Sequence, residues 1–170
     1  KDAIVDRFRN RYNKRPSINK ISPDYRINLH ISNDQCTISL DSSGNSLHKR
    51  GYKVKNVRAP LNEVLAAGLI MLSGWDNKQP FIDPMCGSGT LPIEAALIAN
   101  DIPPGIYREN FGFQNWHDYD PVLFRALKNQ HRIRQRKNVI IQGSDISKQA
   151  IETARTNIEK AGLSKNVEIF

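Results

Sequence analysis

The sequence predicts an α/β protein with a mainly parallel sheet, preceded by a smaller and strongly basic α+β unit. Three observations carry this. From Leu61 onward, strand-like apolar runs alternate with helical ones. A glycine-rich turn lies where the first of those strands hands over to its helix. The charge is also divided: residues 1–60 hold thirteen Lys and Arg against five Asp and Glu, residues 61–170 hold twelve of each, and the net charge of +8 therefore arises in the first third. That asymmetry points to one unit that attracts a polyanion and another whose electrostatics serve a different purpose.

The elements follow in order. "DAIVDRFRNRY" places Ile4, Val5, Phe8 and Tyr12 on one helical face, with Arg7, Arg9 and Arg11 turned away. "YRINLHIS" and "CTISLDSSG" alternate apolar and polar residues around "SNDQ", which predicts a strand hairpin. A helix on a two-stranded hairpin buries too little to stand alone, so more of this unit is expected upstream of Lys1. "NSLHKRGYKVKNVRAP" reads as a basic linker. "LNEVLAAGLIMLSGW" is a helix with Leu61, Val64, Leu65, Leu69 and Leu72 at three- and four-residue spacing. "PFIDP" is a short strand, and "TLPIEAALIAN" a helix that tolerates Pro92 in its first turn. Residues 105–119 form an aromatic-rich loop, and a helix restarts at Asp120 with Pro121 behind it. "VIIQGSDI" is a second buried strand. "SKQAIETARTNIEKAG" is a helix carrying Ile151, Ala154, Ile158 and Ala161 inward, and "VEIF" opens a third strand.

Composition excludes several classes. No apolar run approaches the ~18–20 residues that would span a bilayer, and the N-terminal stretch lacks the apolar core of a signal peptide, so a soluble cytoplasmic protein without membrane contact is expected. Cys36 and Cys86 stand in unlike contexts, and His30, His48, His117 and His131 show no ligand spacing. Neither a disulfide framework nor a metal site is expected.

The loop "DPMCGSGT" carries the chemistry. In a parallel α/β sheet ligands bind beyond the carboxyl ends of the strands, where this loop lies, and Gly87 and Gly89 permit close backbone approach. A phosphate-binding P-loop needs Lys and a hydroxyl after its last glycine, whereas Thr90 and Leu91 follow here. A dinucleotide fingerprint needs a third glycine, whereas Pro92 occupies that position. Asp83, ahead of the glycines, would repel a pyrophosphate and suits a ligand carrying an ammonium group.

At this point the residues resemble a known family. "DPMCGSGT" is similar to the cofactor motif of class I methyltransferases that use S-adenosylmethionine, in the form typical of RNA-modifying members, and "GSDIS" resembles their second motif. The resemblance implies a partial Rossmann-like sheet and a cofactor site built from Asp83, Pro84, Met85, Cys86, Gly87, Ser88, Gly89 and Thr90 around the methionine moiety. Asp145 and Ile146 would hold the ribose and adenine, a carboxylate being able to accept from both ribose hydroxyls. "LHKRGYK", "APLNEVLAAGLI", "SGW" and "IPPG" with "FGFQNW" extend the resemblance to the THUMP-containing methyltransferases that modify guanine N2 in large-subunit ribosomal RNA.

On that resemblance, residues 1–46 are the last part of a THUMP RNA-binding domain, 47–60 a basic linker, and 61–170 the first half of the methyltransferase domain. The family holds its target amine with an N-P-P-Y-type motif after the fourth strand. No such motif occurs in these 170 residues, so the catalytic residues are not assigned and this segment alone is expected not to turn over. Methylation of tRNA, DNA or protein, or a non-catalytic adenosine-ligand or RNA-binding module, are the competing readings.

For RNA, Lys49, Arg50, Tyr52, Lys53, Lys55 and Arg58 combine charge density with an aromatic ring beyond what a linker requires. Arg125, Lys128, Arg132 and Arg136 form a helical stripe that reads as a solvated face. Trp75, Phe111, Phe113 and Trp116 read as packing residues. Cys86 reads as a small, close-packed loop residue and not as a nucleophile.

Overall fold

The computed structural model describes residues 2–21, 23–54, 60–132 and 139–170. Its residues form two compact units, Lys1–Gly44 with Gly112–Tyr119, and Asn45–Phe111 with Asp120–Phe170.

The first unit holds α1 (Asp2–Tyr12) and the antiparallel hairpin of β1 (Ile27–Ser32) and β2 (Gln35–Leu40). Asn33 and Asp34 form the two-residue turn at φ 49° and 60°. Left-handed backbone at both central positions matches the twist of the flanking strands, and Asn and Asp tolerate it better than most residues. Cross-strand pairs Leu29 with Ile38 and Ile31 with Cys36 follow from that register. The aromatic stretch 105–119, expected as one loop, divides after Phe111. Its second part opens with a 3-10 turn, Gly112–Asn115, in which the Phe113 amide donates to the Ser42 carbonyl at 3.1 Å. A Cβ at Gly112 would stand 2.8 Å from the Asp41 carbonyl oxygen, so only glycine fits there. The predicted apolar faces are less covered than expected. In α1 only Val5 is buried, and both hairpin strands are exposed along their length.

The second unit contains α2 (Glu63–Leu72), β3 (Phe81–Asp83), α3 (Thr90–Ala99), α4 (Pro121–Arg132), β4 (Ile141–Gly143), α5 (Lys148–Lys160) and β5 (Glu168–Ile169). The strands form a parallel sheet in the order β3-β4-β5, with Phe81 beside Ile141 and Asp83 beside Gly143. Helix starts use side-chain oxygens for otherwise unpaired amides. Asn62 accepts from Val64 and Leu65, Asp120 from Val122 and Leu123, and Ser147 from Ala150. Helix α3 is buried on nearly every side, because Ala95, Ala96 and Ala99 let its neighbours approach closely. Trp75 packs on Phe81 at 5.2 Å between ring centroids and Phe111 on Phe124 at 5.8 Å.

One helix face differs from the periodicity reading. In α2 the buried residues are Glu63, Ala66 and Ile70, while Val64, Leu65, Leu69 and Leu72 are exposed. The helix is apolar almost all round, so spacing alone did not say which stripe meets α3. In α5 the inward face is the expected one, with Ala154, Ile158 and the C-cap Ala161 buried and Ile151 half-buried against the core, and it also carries Ala150, Thr153 and Asn157. The stretch expected as a linker is, up to Val54, part of the second unit. The buried Arg108 guanidinium donates to the carbonyls of Asn45 at 2.9 Å, Ser46 at 2.9 Å and Lys49 at 3.1 Å.

Candidate cofactor site

The loop Asp83–Thr90 is held from both sides by strand ends and acids. The Ser144 amide donates to the Asp83 carbonyl and the Cys86 amide to the Ser144 carbonyl, each at 2.9 Å, which carries the β3–β4 ladder into the loop. Asp83 Oδ1 accepts from the Met85 amide at 3.1 Å, and Asp145 Oδ2 from the Gly87 amide at 2.9 Å. Asp145 Oδ1 accepts from the Ser147 amide, at the N-cap of α5. Gly87 and Gly89 are left-handed, at φ 55° and 79°, and Gly89 opens α3 without a side-chain cap. A Cβ at Gly89 would lie 3.2 Å from the Ala154 Cβ. Position 89 therefore favours glycine for its left-handed conformation, and its close contact with α5 leaves little room for a Cβ.

All ten residues expected at the cofactor site are described, and the fold brings them together at the ends of β3 and β4. Asp83, Cys86, Ser88 and Thr90 are buried, whereas Met85 and Ile146 project into solvent. Burial pushes the Asp83 carboxyl above its ordinary range, opposed by the Met85 amide and reinforced by the charge of Asp145. A buried carboxyl whose ionisation a neighbouring acid opposes favours a positively charged ligand group beside it.

Cys86 lies under β4, since a Cβ at Gly143 would approach its Cβ to 3.0 Å. Its thiol is pushed up to about 11, first by burial and then by Asp83 and Asp145. At neutral pH it should react with iodoacetamide about two orders of magnitude more slowly than an ordinary thiol, because the thiolate is the reactive form. Peptide mass spectrometry after timed alkylation checks this, with the exposed Cys36 as internal reference; comparable labelling of both would contradict it.

The basic stretch behaves differently from the sequence reading. Tyr52 is fully buried and its hydroxyl donates to Glu94 Oε1 at 3.0 Å, which leaves no ring face for a nucleic-acid base. Arg50 is buried in an ion pair with Glu94 at 3.3 Å. Lys53 donates to the Leu61 carbonyl at 2.9 Å and pairs with Glu63 at 3.1 Å. These three are structural contacts of the second unit, a correction of their expected RNA role. Lys49 is exposed, and Lys55 and Arg58 lie outside the described residues. In the α4 stripe, Arg125 is exposed and Lys128 donates to the Arg108 carbonyl, while Arg136 lies outside the described residues.

Glu94 and Asn157 were not singled out from the sequence. Asn157 is fully buried. Its Nδ2 donates to the Ser88 carbonyl at 3.1 Å and its Oδ1 accepts from the Val54 amide at 2.9 Å. The available signal was a polar residue on the helical stripe of Ala150, Ala154 and Ala161. Among the described residues no group of His, Cys, Asp and Glu is arranged to hold a metal ion, and no helix is long and apolar enough to cross a membrane.

A parallel sheet with a glycine loop at one strand end and an acid at the next is a Rossmann-like ligand site, and similarity to known proteins places it among the class I methyltransferases. Solved structures agree. SMU.472, crystallised in complex with SAH, superposes with a TM-score of 0.80 at 34% identity over 99% of this chain and 45% of its own. A protein from Listeria monocytogenes described as a predicted N6-adenine-specific DNA methylase gives 0.84 at 34% identity, with the same coverages. The chain belongs to the UPF0020 family, the RMKL-like methyltransferase domain, whose model matches residues 50–170; the THUMP domain model matches residues 1–41. The ribosomal RNA large subunit methyltransferase K/L of Desulfotalea psychrophila is 44% identical over 99% of this chain. The chain spans about a quarter of the length of the curated relatives it matches.

Proposed function

We propose that this chain supplies the S-adenosylmethionine seat of an RNA methyltransferase that forms N2-methylguanosine in large-subunit ribosomal RNA in the cytoplasm. The observation that carries the reading is the pair of strand-end carboxylates, Asp83 and Asp145, around a loop with two left-handed glycines. The residues fit this cofactor: the acids suit its ammonium and sulfonium charge, and the left-handed glycines give the loop a tight turn that other residues rarely adopt. When bound, it supplies an already activated methyl group. Loop residues Asp83–Thr90 would hold its methionine moiety, Asp145 its ribose hydroxyls and Ile146 one face of its adenine. Catalysis then consists chiefly of orientation, and no residue of this chain is assigned to the acceptor amine.

The RNA assignment rests on the THUMP match, on the naming of the relatives and on the basic first third. Lys49, Lys55 and Arg58 remain the proposed phosphate contacts, and residues 1–46 the proposed RNA-binding part. The test is tritium transfer from labelled cofactor by the full-length protein, offered deproteinised ribosomal RNA, tRNA, DNA and protein in parallel. Label is expected in large-subunit RNA and should digest to N2-methylguanosine. Label confined to DNA or protein would overturn the RNA assignment, and failure to bind S-adenosylhomocysteine by calorimetry would overturn the cofactor assignment.

A further inference from the structure

We infer that Asn157 is a positioning residue of the cofactor loop, linking the seat of the cofactor to the segment Arg50–Val54. The inference rests on the cofactor reading above and extends it to a residue outside the ten assigned to the cofactor.

Ser88 lies between Gly87 and Gly89, both left-handed. A backbone flanked by glycines has many alternative conformations, so its native shape must be imposed from outside. Asp145 fixes the Gly87 amide, and Asn157 fixes the Ser88 carbonyl one residue further on. The two Asn157 bonds determine its amide orientation, because the Ser88 carbonyl needs a donor and the Val54 amide an acceptor. Both bonds are made at a fully buried side chain, where an unmet partner is costly.

The second partner gives the residue its linking role. Val54 follows Arg50 and Tyr52, which are tied to Glu94 of α3. The segment is thus anchored on α3 at one end and on Asn157 at the other. Asn157 in turn reaches the cofactor loop. A shift of the segment away from α5 would pull on the same side chain that sets Ser88.

Two substitutions separate the bonds. Asn157→Asp keeps the size and the acceptor for Val54, but turns a carboxylate oxygen toward the Ser88 carbonyl. Asn157→Ala removes both bonds. In the full-length protein, each should weaken S-adenosylhomocysteine binding by about fivefold or more, the worth of one buried hydrogen bond. Amide exchange at Val54 should quicken in Asn157→Ala and stay slow in Asn157→Asp. Ile158→Ala, also buried on α5 but facing the core, is the control for simple loss of stability, and should keep its affinity at a comparable drop in Tm. Unchanged affinity in Asn157→Asp, or equal loss in Ile158→Ala, overturns the inference. Absence of binding by the wild-type protein would instead overturn the cofactor reading on which it rests.

Discussion

Arg50→Ala should destabilise the second unit by about 3–5 kcal/mol, the range expected when one partner of a buried ion pair is removed and the other is left in place. Glu94 is 1% exposed and meets Arg50 through two contacts, Nε to Oε1 at 3.4 Å and Nη2 to Oε2 at 3.3 Å. Burial raises the Glu94 carboxyl above its ordinary range, and Arg50 is the largest influence holding it down, followed by the Tyr52 hydroxyl; Glu63 adds to the rise. Without Arg50 the carboxyl rises further. A folded-state value above the unfolded one means that the folded protein binds the proton more tightly, so stability falls as pH rises through the interval between them. The deficit of Arg50→Ala should therefore be largest near neutral pH and shrink on acidification toward the ordinary glutamate range. Urea unfolding of variant and wild type at several pH values measures this. A deficit below about 1 kcal/mol, as for an exposed pair, or one independent of pH, would contradict it.

The same pair shows what the sequence could and could not convey. Element order was legible because periodicity and punctuation are local: Asn33–Asp34, Asp120–Pro121 and Ser147 each act within a few residues. The shape of the candidate loop Asp83–Thr90 was legible for the same reason, since its acid, its glycines and its helix are contiguous. Partners distant in sequence were not. "HKRGYK" has the composition of an RNA-facing linker, and only the fold brings Glu94, 44 positions from Arg50, against it. Asn157 shares that cause, reaching Val54 across 103 positions and Ser88 across 69. The α2 face failed differently. A helix apolar on every side has no preferred stripe until its neighbour chooses one.

Asp145→Ala should weaken S-adenosylhomocysteine binding by at least about tenfold, because hydrogen bonds to a charged group are each worth about 1.5–3 kcal/mol. The carboxylate has two duties, and a second ligand separates them. It braces the loop through Gly87 and the start of α5 through Ser147, and by the proposed function it also receives the ribose hydroxyls. A cofactor analogue lacking both hydroxyls removes only the second duty. The wild type should bind that analogue at least about tenfold more weakly than S-adenosylhomocysteine, whereas Asp145→Ala should hardly distinguish the two, since coupled groups lose their shared energy once. Equal discrimination by both proteins would remove Asp145 from the ribose and leave it the loop alone. The variant carries a further signature at Asp83, whose carboxyl is raised in part by the charge of Asp145. Holding a cofactor's ammonium requires Asp83 to be ionised. With Asp145 gone, that ionisation persists to lower pH, so the residual affinity of the variant should survive acidification further than the wild type's does.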